Sequence, residues 1–296
     1  MPLTRRDLLN RFFGGAALSM CGAPHEHASG RPTRVGFEHR TVRDRSVYRI
    51  GPRDGAPIML LHELPGLTAD DLALARRLAD ERFNVYTPLL FGDFGQNSVL
   101  AGHWQACRDT MFECSKRSAR SEILDWLEPA VDWVAADANA PVGVIGMCLT
   151  GILPVAMLRP SVRAAVLCQP TIPFSVIPPR PTGKQKSDLG LGRADLDRAV
   201  ASDVPFLAIR YTKDPRCPRE RMDLLTTTFK DRVAVIEVDG EHCHSTLGGN
   251  FNLAAFEDAV RYLRVRLKVT SGPIRMNVAQ LNGQACQMTA AGTWSL

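Results

Sequence analysis

Residues 142–151, Val-Gly-Val-Ile-Gly-Met-Cys-Leu-Thr-Gly, constrain this chain more than any other stretch. The run 142–147 is apolar apart from its glycines, as a strand buried on both faces of a parallel sheet must be. Gly146 lets the backbone turn sharply, and a helix is expected to begin just after the turn. Cys148 falls at the apex. Such a strand–turn–helix lifts one side chain above the carboxyl edge of a sheet and turns the free N–H groups of a helix start toward whatever that side chain meets. A thiol attacks only as its thiolate, and a helix N-terminus favours that negative charge. The plain alternative is a buried structural cysteine at a strand end.

The rest of the chain repeats the same alternation. Residues 34–39 and 46–51 read as short strands, and 57–62 (Pro-Ile-Met-Leu-Leu-His) as a central strand. Thr68 and Asp71 are spaced as a capping box, with Leu72, Ala75 and Leu78 on one helical face. Residues 83–88 form the next strand. A helix is expected over 122–136, kinked or split at Pro129, which removes a hydrogen-bond donor. Further strands are expected at 162–168, 204–211 and 232–238, and helices near 193–201 and 218–229. A final helix carries the stripe Leu253, Phe256, Val260, Leu263 and Leu267. Strands alternating with helices predict an α/β fold, a mostly parallel central sheet with helices on both faces. Ligands of such sheets bind at the carboxyl ends of the strands, so the strand exits are where chemistry is to be sought.

Composition narrows the class. The chain has 296 residues, 45% apolar and 23% charged, enough for a large core. Its net charge of +5 is scattered, without an aromatic-interleaved basic patch, so nucleic acid is not expected as a partner. Residues 1–30 form a leader with two readings. Arg5 and Arg6 before the apolar run 12–23 resemble a twin-arginine export signal, while Arg11 and the lack of an A-x-A site fit an amphipathic first helix of a cytoplasmic protein. The run is too short for a stable membrane span. The folded domain is expected over 31–268, with a proline-rich insert at 170–201 and an irregular tail over 269–296. None of the eight cysteines forms a C-x-x-C pair; Cys168 reads as a core thiol, and Cys107 and Cys114 have a spacing that allows a bridge in an exported protein.

Three other strand exits carry reactive side chains. Asp214, in Thr-Lys-Asp-Pro, follows the strand at 204–211; a carboxylate there can orient a histidine and stabilise its cation, or simply form a turn before Pro215. His242 and His244 both follow the strand at 232–238, where a base belongs if the chain order is nucleophile, acid, histidine. The His-Cys-His run also resembles a metal cluster, but zinc needs further ligands at matched spacing and none is found, so no metal or organic cofactor is expected. The loop at 62–66, His-Glu-Leu-Pro-Gly, is not H-E-x-x-H. It lies where an oxyanion donor belongs, which makes the backbone N–H groups of Leu64 and Leu149 the natural pair. Glu63 is expected beside the thiol, able to hold its proton at rest; the alternative is a solvated loop carboxylate.

Taken in order, residues 62–66, Gly146-Met-Cys-Leu-Thr-Gly151, Asp214 and the 244–247 run His-Ser-Thr-Leu resemble the dienelactone hydrolase family of α/β-hydrolases over about residues 34–268. The resemblance implies an α/β-hydrolase fold, a Cys148–His244–Asp214 triad and a glutamate, Glu63, near the thiol. It implies an esterase of small-molecule esters or lactones working through an acyl-thiol, and it favours His244 over His242. Thr150 stands where the family pattern has its second glycine. The arginines with which dienelactone enzymes grip a substrate carboxylate are absent from 90–93 and 245–249. The competing expectations are a thioesterase or acyltransferase on the same triad, and a non-catalytic α/β-hydrolase-like binding protein.

Overall fold

The computed structural model describes residues 34–64, 66–95, 122–172, 183–241 and 243–269, together with a two-strand ladder at 287–288 and 294–295. The leader with Arg5 and Arg6, Cys107, Cys114, His242, residues 173–182 of the proline-rich insert and most of the tail lie outside the described residues.

Eight strands build the main sheet: β1 (Glu38–Val42), β2 (Arg45–Ile50), β3 (Ala56–Leu61), β4 (Phe83–Pro88), β5 (Val142–Met147), β6 (Val162–Cys168), β7 (Phe206–Lys213) and β8 (Val233–Glu241). Their order is β1-β2-β4-β3-β5-β6-β7-β8. The β1/β2 and β2/β4 pairs are antiparallel, and every pair from β4 to β8 is parallel. The first strand starts four residues later than the sequence implied, because residues 34–37 close a turn through the Phe37 N–H and the Arg34 carbonyl.

Side-chain alternation divides the apolar runs between two cores. Ile58, Leu60, Ile145, Met147, Ala164, Val166, Leu207 and Ile209 face one side, covered by α1 (Ala69–Asp80) and by a long C-terminal helix at Leu253–Arg266. Met59, Leu61, Val144, Ala165, Leu167 and Ala208 face the other. There they meet α2 (Glu122–Ala138), the single turn α3 (Leu153–Ala156), α4 (Arg193–Ala201) and α5 (Arg219–Phe229). The C-terminal helix is therefore α6. Each fully buried aliphatic side chain of these layers stabilises the fold by about 1.5–3 kcal/mol.

Three local expectations change. Pro129 does not split α2, which runs unbroken from Glu122 to Ala138. The carbonyl that Pro129 cannot engage, that of Asp125, lies 3.5 Å from a guanidinium nitrogen of Arg43 in the β1–β2 turn. The helix after Cys148 is only a 3₁₀ turn (Cys148–Thr150) followed by the four residues of α3. Pro160 disfavours helix in the residue before it, and β6 already begins at Val162, so there is no length for more. Leu253, placed on the apolar stripe of α6, is 59% exposed, whereas Phe256, Val260 and Leu263 are buried. Thr68 does cap α1 in a reciprocal capping box with Asp71.

Candidate active site

Cys148 leaves β5 with φ 53°, a left-handed conformation that a non-glycine residue adopts at a cost of about 1–3 kcal/mol. The neighbouring glycines make the turn possible. A Cβ on Gly146 would lie 2.3 Å from the Thr150 carbonyl oxygen, and one on Gly151 would lie 2.7 Å from Pro170 Cα and 2.8 Å from the Cys168 carbonyl oxygen. The demand for a second glycine has thus moved one place along, from 150 to 151. Thr150 does not mark loose packing. It is fully buried, its Oγ1 accepts from the Met147 N–H at 3.0 Å, and it lies 3.0–3.2 Å from the carbonyls of Met147, Leu61 and His62, one of which takes its proton. A hydroxyl therefore ties the exit of β5 to the exit of β3.

His62 fixes that second exit from the other side. Its Nδ1 is 3.0 Å from the Glu63 carbonyl, and its Nε2 accepts from the Leu90 N–H at 3.0 Å, which defines a neutral tautomer. Burial lowers its pKa to about 4 against the opposing effect of the Glu63 carbonyl bond. Leu61 pairs with Gly146 across β3 and β5, so Leu64 and Leu149 stand the same three residues beyond the last paired rung.

On the far side of the elbow, His244 Nδ1 lies 2.7 Å from Asp214 Oδ2. The other oxygen of Asp214 accepts from the N–H groups of Arg216 at 2.8 Å and Cys217 at 3.2 Å. The carboxylate is thereby locked in one orientation, 3% exposed. His244 Nε2 has no oxygen or nitrogen partner among the described residues. The Cys148 sulfur lies within its electrostatic reach. Burial opposes charging of the ring, but Asp214 and then Cys148 outweigh it and raise the pKa to about 10. The fold thus brings Cys148, His244 and Asp214 from three strand exits to one edge of the sheet, with His244 hydrogen-bonded to Asp214 and under the electrostatic influence of Cys148. Cys243, beside His244, is disulfide-bonded, while Cys148, Cys168 and Cys217 are free. Burial pushes the Cys168 thiol far up and the Cys217 thiol up to about 12, as expected of inert core sulfur.

Glu63 has a partner that the sequence did not announce. Its carboxyl accepts a hydrogen bond from Ser245 Oγ, not from the Cys148 sulfur, and a Cβ on Gly248 would approach it to 2.6 Å. Burial raises its pKa; the Ser245 bond and the charge of His244 oppose this, Asp70 adds to it, and the exposed guanidinium of Arg216 opposes it. Arg216 is the cation that the sequence reading overlooked at this cleft, two residues past Asp214. Asp71 lies behind Glu63, accepting from the N–H and hydroxyl of Thr68. Burial and then the charge of Glu63 raise its pKa from 3.8 to about 8. The native protein therefore keeps a proton on Asp71 that the unfolded chain releases, so this group's contribution to stability falls as pH rises from 3.8 to about 8. Asp71→Asn is expected to flatten the stability profile across that window and to raise stability above pH 8. Urea unfolding at pH 5 and pH 8.5 checks this, and an equal effect at both pH values refutes it.

Among the described residues no group of three or more His, Cys, Asp or Glu side chains is arranged to hold a metal ion, and no helix is long and apolar enough to cross a membrane.

The strand order, with an antiparallel β2 and a left-handed residue at the β5 exit, defines an α/β-hydrolase. The sequence model of the dienelactone hydrolase family matches residues 47–248, more than half of the chain and all of the site residues described in this section. The protein belongs to the dienelactone hydrolase family and is a hydrolase acting on ester bonds. No curated protein matches the chain. Among solved structures it is similar to a protein assigned as a dienelactone hydrolase from Klebsiella pneumoniae, with TM-score 0.57, 16% identity, and coverage of 79% of this chain and 98% of that one. It is also similar to the esterase Pf2001 from Pyrococcus furiosus, with TM-score 0.52, 15% identity, and coverage of 80% and 100%. A CIB-like hydrolase from Thermoplasma acidophilum follows at TM-score 0.51, 14% identity, and coverage of 77% and 97%. At these identities the likeness concerns the fold.

Proposed function

We propose that the protein hydrolyses a small-molecule ester or lactone through a Cys148–His244–Asp214 triad and an acyl-thiol intermediate. The observation that carries this reading is the Asp214–His244 hydrogen bond at 2.7 Å, with the remaining ring nitrogen of His244 unpaired among the described residues and the elbow cysteine among the groups that raise the pKa of the ring. Asp214 binds Nδ1–H, so Nε2 is free to take the Cys148 proton. The resulting imidazolium is stabilised by Asp214, and the elevated pKa of His244 is the electrostatic measure of that stabilisation. The short 3₁₀ turn at Cys148 supplies little helix dipole, so ionisation of the thiol rests chiefly on His244. The thiolate attacks the carbonyl carbon, and the N–H groups of Leu64 and Leu149 receive the oxyanion. Collapse expels the alcohol, protonated by His244.

Acylation also resets the base. Once Cys148 carries an acyl group, its negative charge and its hydrogen-bond acceptor are gone, and the proton affinity of His244 drops. The neutral ring then accepts a proton from water, which attacks the thioester and releases the acid. Glu63 is held by Ser245, and burial raises its affinity for a proton.

Acid-quenching the enzyme within the first turnover of p-nitrophenyl acetate tests the reading. The expected result is an acetyl thioester on the peptide containing Cys148, labile to neutral hydroxylamine. Enzyme-dependent nitrophenol release without acylation of Cys148 overturns it.

A further inference from the structure

Gln169 follows β6 with φ 36°, a second left-handed non-glycine residue at a strand exit, and its side chain is fully buried. A conformation of that kind persists only where its surroundings over-determine it. The backbone N–H of Gln169 donates to the Ile209 carbonyl of β7 at 2.6 Å. Its carbonyl accepts from Thr171 Oγ1 at 3.1 Å, and the Thr171 N–H donates to the Cys148 carbonyl at 2.8 Å. The side-chain oxygen accepts from the Thr246 N–H at 3.1 Å and from Thr246 Oγ1 at 2.6 Å. The amide orientation follows from chemistry, since a backbone N–H can only donate and must meet the oxygen. One residue therefore touches the strand that leads to Asp214 and the loop that carries His244, and is linked to the elbow through Thr171.

That loop has no regular secondary structure to hold it. Asn250 Oδ1 accepts from the N–H groups of His244 at 3.1 Å and Ser245 at 3.4 Å. Its carbonyl in turn takes the Tyr211 hydroxyl of β7. Asn250 is a near neighbour in sequence and shapes the loop from within. Gln169, 77 residues from Thr246, refers the loop to the exit of β6, as Glu63 refers it to the exit of β3 through Ser245. Resting on the triad reading above, we propose that Gln169 is a positioning residue: by clamping the backbone and hydroxyl of Thr246 it sets the distance between the ring of His244 and Cys148. It touches neither substrate nor the reacting atoms.

The experiment compares Gln169→Ala, Thr246→Val, Thr246→Ser and the double variant Gln169→Ala/Thr246→Val in kcat, KM and the pH dependence of Cys148 alkylation by iodoacetamide. A base displaced by a fraction of an ångström costs rate without costing ground-state binding. Gln169→Ala is expected to lower kcat about 10- to 100-fold with KM within about twofold of wild type. Its alkylation curve is expected to move to higher pH, because the thiol loses help from His244. Thr246→Ser keeps both donors and should behave as wild type. Thr246→Val, which is isosteric, should show part of the loss, and the double variant should be no worse than Gln169→Ala alone. Wild-type kcat with an unchanged alkylation curve in Gln169→Ala and Thr246→Val overturns the proposal, as do independent, additive losses. If Gln169→Ala does not fold, Thr246→Val against Thr246→Ser carries the same comparison. Full activity in Cys148→Ala overturns the triad itself, whereas an inactive Cys148→Ala beside an indifferent Gln169→Ala overturns the positioning role alone.

Discussion

Replacing Cys148 by alanine is expected to lower kcat by roughly four to six orders of magnitude while the protein folds normally. The side chain is 9% exposed at the edge of the apolar cluster under α2 and α3, so the loss of one sulfur is a small packing defect. The loss of the proposed nucleophile removes the proposed acyl-thiol path altogether. Cys148→Ser should recover little, because an alcohol does not ionise against an imidazole as a thiol does, and the proposed mechanism depends on that ion pair. Two further readouts accompany the kinetics. The imidazole pKa of His244, followed by NMR, should fall in Cys148→Ala, since Cys148 is one of the two groups that raise it. Cys148→Gly should be more stable than Cys148→Ala by about 1 kcal/mol, because only glycine occupies φ 53° without strain. Retention of wild-type kcat by Cys148→Ala would falsify the proposed chemistry.

What was legible before the structure, and what was not, divides along one physical line. Local pattern was enough where the cause is local. The apolar runs of β3, β5 and β6 announce strands covered on both faces, and the capping box at Thr68 announces the start of α1. The positions of Cys148, Asp214 and His244 at the exits of β5, β7 and β8 follow from a parallel sheet whose ligands gather at one edge. The contacts that hold these side chains in place are another matter. Thr150 looked like a flaw in a glycine pattern, yet its hydroxyl reaches carbonyls 88 and 89 residues away. Pro129 looked like a helix breaker, yet the carbonyl it leaves unpaired faces Arg43, 82 residues earlier in the chain. Gln169 carries no sequence signal at all; its importance lies in a backbone angle and in Thr246. Glu63 was read from its position in a loop, and nothing there announced Ser245, 182 residues away, as the partner of its carboxyl. In each case the deciding partner is distant in sequence, where periodicity and motif spacing hold no information.

Asp214→Asn should be nearly as damaging as loss of the nucleophile, for a reason visible in its hydrogen bonds. The Arg216 and Cys217 N–H groups both point at Oδ1 and can only donate, so an asparagine at 214 must turn its oxygen toward them. Its NH₂ then faces His244 Nδ1, where the carboxylate had accepted a hydrogen bond at 2.7 Å. Nδ1 is forced to become an acceptor, and the ring proton moves to Nε2, the nitrogen that faces Cys148. A ring in that tautomer cannot take the thiol proton. The expected loss in kcat/KM at neutral pH is about 10⁴-fold, with KM little changed. The sign of the pH effect follows from the same bond. Asp214 is the first of the groups that raise the pKa of His244, and without it burial lowers the affinity of the ring for a proton. Activity in Asp214→Asn should therefore recover in alkaline solution, where the thiol ionises without a base, and the alkylation curve of Cys148 should shift in the same direction. Stability responds too: a histidine whose pKa is raised from 6.5 to about 10 contributes most below pH 6.5 and loses that contribution as pH rises toward 10. Removing Asp214 should thus destabilise the protein more at pH 6 than at pH 10. A pH–rate profile and urea unfolding at those two values decide the matter. Activity within tenfold of wild type at pH 7, with an unmoved alkylation curve, rules out the role assigned to Asp214.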